Sequence, residues 1–143
     1  MNNAAYKKLD YSLSLISTAE SGKNYGCIIN SLHQVTSSRP PKFTLSLNND
    51  SATCGALKKS GVAAVTLLAK EAEDKVVNEF GYKSGRAIDK FAAFPFETDS
   101  QGCPYLREGM VSRLSLKVTE TVAIGSYTLF ICELLDAEVL GSG

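Results

Sequence analysis

The stretch FGYKSGRAIDKF, Phe80–Phe91, gathers Lys83, Ser84, Gly85, Arg86, Asp89 and Lys90 into one short polar loop closed by an aromatic residue at each end. A plain connector needs turn residues, not several cations and a hydroxyl around a glycine. Glycine lets the backbone approach a ligand closely. A guanidinium offers a planar fork of donors, and a lysine adds a point charge. Such a set suits an anion. The alternative is a solvated loop in which Asp89 pairs with a neighbouring cation at little energetic value.

A second candidate is Asn49, Asp50, Ser51, Ala52 and Thr53, ahead of a short helical pattern. A helix start carries unpaired N–H groups and a partial positive charge, and Ser51 and Thr53 add hydroxyls. An ordinary capped helix has the same residues, and Asp50 is awkward beside an anion. The third feature is the run Asn30, Ser31 and Gln34 inside an otherwise apolar stretch. Polar groups in a buried strand need partners, so either this segment is solvated or it meets a polar ligand.

Other chemistries find less support. His33 is the only histidine, and no nucleophile stands beside it in sequence. Glu71 and Glu73 alternate with Lys70 and Lys75 as on a solvated helix face. The four cysteines, Cys27, Cys54, Cys103 and Cys132, are scattered without a C-x-x-C pair. They read as reduced structural thiols rather than metal ligands, and no metal is expected.

These residues must be positioned by one domain. The chain has 143 residues, 44% of them hydrophobic and 21% charged, which suits a single globular core. Fifteen basic residues balance fifteen acidic ones, which argues against a nucleic-acid partner. No apolar run is long enough for a membrane span, and the first residues lack the pattern of a signal peptide. The expected compartment is the cytoplasm.

Periodicity predicts strands over Tyr11–Thr18, Tyr25–Ser37, Lys42–Asn48 and Val62–Ala69, with a hairpin loop at Ala19–Asn24. The prolines Pro40 and Pro41 break the second strand. Helices are expected over Asn49–Gly61 and Lys70–Phe80, the first capped by Asp50 or Ser51 and ended by Lys58, Lys59 and Gly61. Phe96–Leu106 holds turn signals. Gly109–Leu140 reads as two long strands around a turn at Ile124, Gly125 and Ser126. Strands bunched at both ends predict an antiparallel sheet closing on itself, not a doubly wound parallel one. Residues 1–140 form the expected domain, with 141–143 as a linker or tail.

Three blocks in this order and spacing carry a resemblance: NYGCIINSLHQVTSSRPPKFTLSLNNDSATCGALKKSG, then FGYKSGRAIDKF, then GSYTLFICELLDAEVL. The chain resembles the flavin reductase-like, FMN-binding family, and within it the flavodomain that some anaerobes fuse to rubredoxin. The resemblance implies a mainly β, Greek-key antiparallel split β-barrel with two or three short helices. It also implies a homodimer with one FMN per subunit near the interface, and NAD(P)H as electron donor. By the same match, Asn30, Ser31 and Gln34, with the flanking Ile29 and Leu32, lie beside the flavin ring. Asn48, Asn49, Ser51 and Thr53 meet the ribityl chain and phosphate. Ser84, Gly85, Arg86, Asp89 and Lys90 close over the cofactor.

This sequence departs from the family pattern at two places. Relatives often read Thr-His-Glu or Thr-His-Asp where Thr53, Cys54 and Gly55 stand here. Relatives also tend to carry histidine at the position of Tyr127, on the nicotinamide side of the flavin. Tyrosine can still hydrogen-bond and stack. Two readings are therefore open: a reductase passing electrons from NAD(P)H through FMN to a rubredoxin-like protein or free flavin, and an FMN electron carrier without its own NAD(P)H turnover.

Overall fold

The computed structural model describes residues 1–6, 9, 12–73, 75–77, 91 and 94–141. Strands β1 (Ser14–Glu20) and β2 (Lys23–Ile29) form the first hairpin. Its loop is tighter than the expected Ala19–Asn24, because Ser21 (φ 52°) and Gly22 (φ 77°) both adopt the left-handed region. That geometry matches the twist of the flanking strands, so pairing continues to Glu20 and Lys23.

The single strand expected over Tyr25–Ser37 is two strands. β2 stays on β1, whereas β3 (His33–Thr36) pairs with β4 (Lys42–Asn48) at the opposite end of the sheet. The ladder breaks at Asn30. There Ser31 Oγ accepts from Ser46 N–H (3.1 Å) and donates to Ser46 C=O (3.1 Å), so a side chain takes the place of a strand partner on β4.

After β4 comes helix α1 (Ala52–Ser60), capped by Ser51 and ended by Gly61 at φ 73°. It leads directly into β5 (Val62–Leu68). A short 3-10 helix, Lys70–Ala72, opens the next helical segment. Ala72, Val76 and Val77 pack inward as periodicity predicts, while Phe80 and Gly81 lie outside the described residues. Two short strands, β6 (Glu97–Thr98) and β7 (Pro104–Tyr105), pair where only turn signals had been read. The long hairpin of β8 (Met110–Ile124) and β9 (Tyr127–Val139) completes the chain.

The main sheet is antiparallel with seven strands in the order β2-β1-β5-β8-β9-β4-β3. Its edge strands β2 and β3 are not hydrogen-bonded to each other, so the barrel is split. It still wraps: Ile29 from one end of the order and Leu45 from the other share a core with Ile16, Val65, Leu116 and Phe130, and Leu57 of α1 packs into the same interior.

Part of the outer face is covered as well. Leu15, Leu68, Val76, Phe91, Leu106 and Met110 form one external cluster. The β6–β7 hairpin lays Cys103 and Tyr105 over Ala64 as another. Gly109 is required where this layer crosses Ala72, since a Cβ there would lie 2.6 Å from the Ala72 Cβ. The far half of the β8–β9 hairpin is different. Residues 119–127 are all exposed, and Val122, Ile124 and Tyr127 are 43%, 54% and 45% accessible. No described helix is long and apolar enough to cross a membrane.

Candidate functional site at the rim of the split barrel

Three sequence blocks meet along β4 and at its end. β9 pairs along the whole of β4, which sets Tyr127 directly opposite Asn48. The β2–β3 crossing lies on the other flank of β4, held by Ser31 to Ser46 and by the pairing of His33 with Thr44 and Gln34 with Phe43. α1 begins immediately beyond β4. The end of β4 therefore brings Ser31, Asn48–Thr53 and Tyr127 near one another, whereas Gln34 lies opposite Phe43, toward the start of β4.

The connection from β4 to α1 is tied down at several points. Asn48 Oδ1 accepts from Asp50 N–H (2.9 Å), and Asn48 C=O accepts from Ser51 N–H (3.0 Å). Asn49 N–H donates to Ser126 C=O (2.9 Å), and Asn49 Oδ1 accepts from Thr128 Oγ1 (2.6 Å). Cys54 Sγ lies 4.0 Å from the same oxygen. Ser51 Oγ accepts from Thr53 N–H (3.2 Å), and no acidic residue occupies the first turn of α1. The Ser51 hydroxyl proton stays available, and the helix dipole places partial positive charge at this end.

The expected site residues are not presented alike. Asn30, Gln34, Asn48 and Asn49 are exposed, and Ser31, Leu32 and Ser51 are half-buried. Gln34 donates from Nε2 to Thr36 C=O (3.0 Å). Ile29 is 7% accessible and belongs to the barrel core, so its side chain packs inward. Thr53 is 3% accessible, and its N–H is already taken by Ser51. Ser84, Gly85, Arg86, Asp89 and Lys90 lie outside the described residues. Phe91, at the end of that block, is buried in the external cluster.

His33 is exposed. All four cysteines are free. Burial pushes the Cys132 thiol up to about 12, and burial together with nearby Asp99 does the same at Cys103. Such thiols are poor nucleophiles at neutral pH. Among the described residues, no cluster of histidine, cysteine and carboxylate side chains could hold a metal ion.

Sequence reasoning missed Ser46 and Thr128. Ser46 contributes only backbone, which leaves no sequence signal. Thr128 did leave one. It shares a face of β9 with buried Phe130 and Cys132 and is itself 4% accessible, and a hydroxyl in an apolar row calls for a partner.

A Flavin reductase like domain matches residues 6–142. The chain is 31% identical over 140 residues to a ferric-chelate reductase (NAD(P)H) of Archaeoglobus fulgidus, covering 98% of this chain and 82% of that protein. It is also 31% identical over 143 residues to a high molecular weight rubredoxin of Moorella thermoacetica, covering 100% of this chain but only 62% of that longer protein. Solved structures share the fold at low identity. An FMN-binding protein from Thermus thermophilus superposes with TM-score 0.84 at 19% identity, covering 97% of this chain and 76% of the other. An NADH:FAD oxidoreductase from Streptomyces globisporus does so with TM-score 0.85 at 19% identity, covering 94% and 79%. With its matched span, relatives and split-barrel architecture in agreement, the chain belongs to the flavin reductase like domain family.

Proposed function

We propose that this chain is an oxidoreductase that binds FMN at the rim formed by Asn30–Gln34, Asn48–Thr53 and Tyr127, accepts electrons from NAD(P)H, and delivers them to a rubredoxin-like protein or to free flavin. The observation that carries this reading is the placing of the three blocks along β4, from Gln34 opposite Phe43 to Tyr127 opposite Asn48. Names of relatives support the class of reaction: a ferric-chelate reductase using NAD(P)H and an FMN reductase using NADH from Enterobacter cloacae, 24% identical over 124 residues.

The donor set fits the cofactor. A flavin mononucleotide has a polar ring edge, a hydroxylated chain and a phosphate. The rim offers exposed amides at Asn30, Gln34, Asn48 and Asn49, a hydroxyl at Ser51, and a first turn of α1 without acidic side chains, although the exposed Asp50 precedes its cap. When bound, FMN supplies the hydride and electron chemistry. The protein orients it. Asn30, Ser31 and Gln34 would meet the ring, with half-buried Leu32 giving an apolar contact. Asn48 would meet the ribityl chain. Asn49, Ser51 and the first turn of α1 would hold the phosphate, together with Ser84, Gly85, Arg86, Asp89 and Lys90. The paired hydrogen bonds of the Asn48–Ser51 turn keep these donors in place before the ligand arrives, which reduces the ordering cost of binding.

Tyr127 favours a second reading. It stands exposed beside Asn48, where the family resemblance places histidine on the nicotinamide side. A carrier fed by another donor would keep the flavin site and lose nicotinamide turnover. The exposed apolar side chains Val122, Ile124 and Tyr127 on the projecting hairpin support a homodimer, since such patches mark interaction surfaces.

The deciding experiment is reconstitution with FMN, removal of excess, and anaerobic addition of NADH or NADPH. Rapid bleaching of the bound flavin supports the reductase. Flavin that stays oxidised with both nucleotides, yet bleaches with dithionite, supports the carrier. A preparation that retains no flavin overturns both.

A further inference from the structure

We infer that Thr128 is a positioning residue for the phosphate side of this site, acting through Asn49; the inference rests on the flavin reading. Thr128 is 4% accessible, and its hydroxyl donates to Asn49 Oδ1 at 2.6 Å. A primary amide has an acceptor end and a donor end. With Thr128 Oγ1 and Cys54 Sγ both directed at the oxygen, the orientation of the Asn49 amide is set and its two N–H donors remain for a ligand.

The same contact does a second job. Asn49 N–H donates to Ser126 C=O at 2.9 Å, so backbone and side chain of Asn49 are both fixed to the β8–β9 turn. The stretch between β4 and α1 cannot shift without breaking one of these bonds. The start of α1 and the strand bearing Tyr127 therefore move as one piece, joined at Asn49. Residue 128 is far from residue 49 in sequence but adjacent to the rim because β9 pairs with β4 up to Asn48.

Thr128→Val keeps the shape of the side chain and deletes the donor. Thr128→Ser keeps the donor. The test is equilibrium titration of FMN and of riboflavin, which has the same ring and ribityl chain without phosphate, into wild type, both variants and Asn49→Ala. The inference predicts that Thr128→Val weakens FMN binding about tenfold, the scale of one hydrogen bond that serves a charged ligand. Riboflavin affinity stays within about twofold of wild type, and Thr128→Ser restores FMN affinity. In an Asn49→Ala background, Thr128→Val adds nothing further, because the two act as a unit. Asn49 is exposed, so this background also reports on the site if the Thr128→Val protein is poorly folded.

An equal loss for FMN and riboflavin would mean a general structural role and overturn the inference. Unchanged FMN affinity in Thr128→Val would do the same while leaving the flavin reading intact. Failure of the wild type to bind FMN would remove the flavin reading itself, and the inference with it.

Discussion

On the outer wall of the barrel, Arg113 is surrounded by acceptors from its own chain, whereas at the rim Asn30 and Asn49 are exposed and Ser51 is half-buried. Arg113 donates to Asp136 (3.0 Å) and Glu138 (3.5 Å), donates to Ser115, and stacks over the Tyr105 ring at 5.1 Å. Ser115 donates onward to Asp99 (2.7 Å), whose other oxygen accepts from Gln101 and Cys103 N–H. Arg107 joins Glu97 to Glu138 at the edge. Among the described residues Arg113 Nε is buried without a hydrogen-bond partner, but both terminal nitrogens of its guanidinium are engaged, and the result is a clamp holding the β6–β7 hairpin on β8 and β9. The rim is held by equally specific bonds, but these fix backbone and acceptors and leave donors unused. Charge that is matched mainly by carboxylates of the same chain builds structure; donors held in place without a match are what a ligand needs.

That contrast can be broken most sharply at Arg113. Arg113→Ala removes a buried guanidinium, its ring contact and the donor to Ser115. It should destabilise the fold by about 2–3 kcal/mol, less than for a fully buried pair because Asp136 and Glu138 reach solvent. Denaturant titration measures this. FMN affinity of the folded variant should be unchanged; a parallel loss of flavin would mean the two regions are not separate.

Ser51→Ala probes the opposite end of the comparison. It deletes the α1 cap and a proposed phosphate donor, so it should cost about 1 kcal/mol of stability and also weaken FMN binding. Loss of stability with full flavin affinity would reduce Ser51 to a cap alone. Tyr127→Ala should leave FMN affinity within about twofold and raise the apparent KM for NAD(P)H severalfold, as expected for an exposed contact made by one substrate only. A variant with unaltered kinetics for both nucleotides would take Tyr127 out of the nicotinamide side.

The smallest effect is on pH dependence. Hydrogen bonds from Arg113 and from Ala137 N–H hold the Asp136 carboxyl below its ordinary value. A lowered folded-state pKa contributes stability that is present above the unfolded value, about 3.9, and is lost as pH falls through the folded one. Asp136→Asn should therefore flatten the fall in thermal midpoint between neutral and strongly acid solution. An identical slope in both proteins would mean that Asp136 does not couple to folding.

Much of this architecture was legible because the sequence pattern and the local chemistry agree. β4 runs over Lys42–Asn48 as its alternation predicts, and α1 starts after Ser51 and stops at Gly61. The β8–β9 turn falls at Gly125 and Ser126. What periodicity could not show is which strand pairs with which. β2 and β3 read as one strand interrupted by polar residues yet sit at opposite edges of the sheet, because Asn30 and Ser31 leave one ladder and Ser31 joins the other. The strands of the β6–β7 hairpin are two residues each, too short to display an alternating pattern, so it showed only as turn residues. At the rim, the exposed amides were readable as types, while their common location depended on the long-range pairing of β9 with β4. Thr128 needed that pairing to acquire a meaning.

Hydrogen exchange with and without FMN tests the central claim most directly. Slowed exchange at Asn30–Gln34, Ser51–Cys54 and Ser126–Thr128, with Glu97–Thr98 and Pro104–Tyr105 unchanged, is the result predicted for a flavin seated at the rim. Protection confined to the β6–β7 wall, or no change anywhere at saturating FMN, would contradict it.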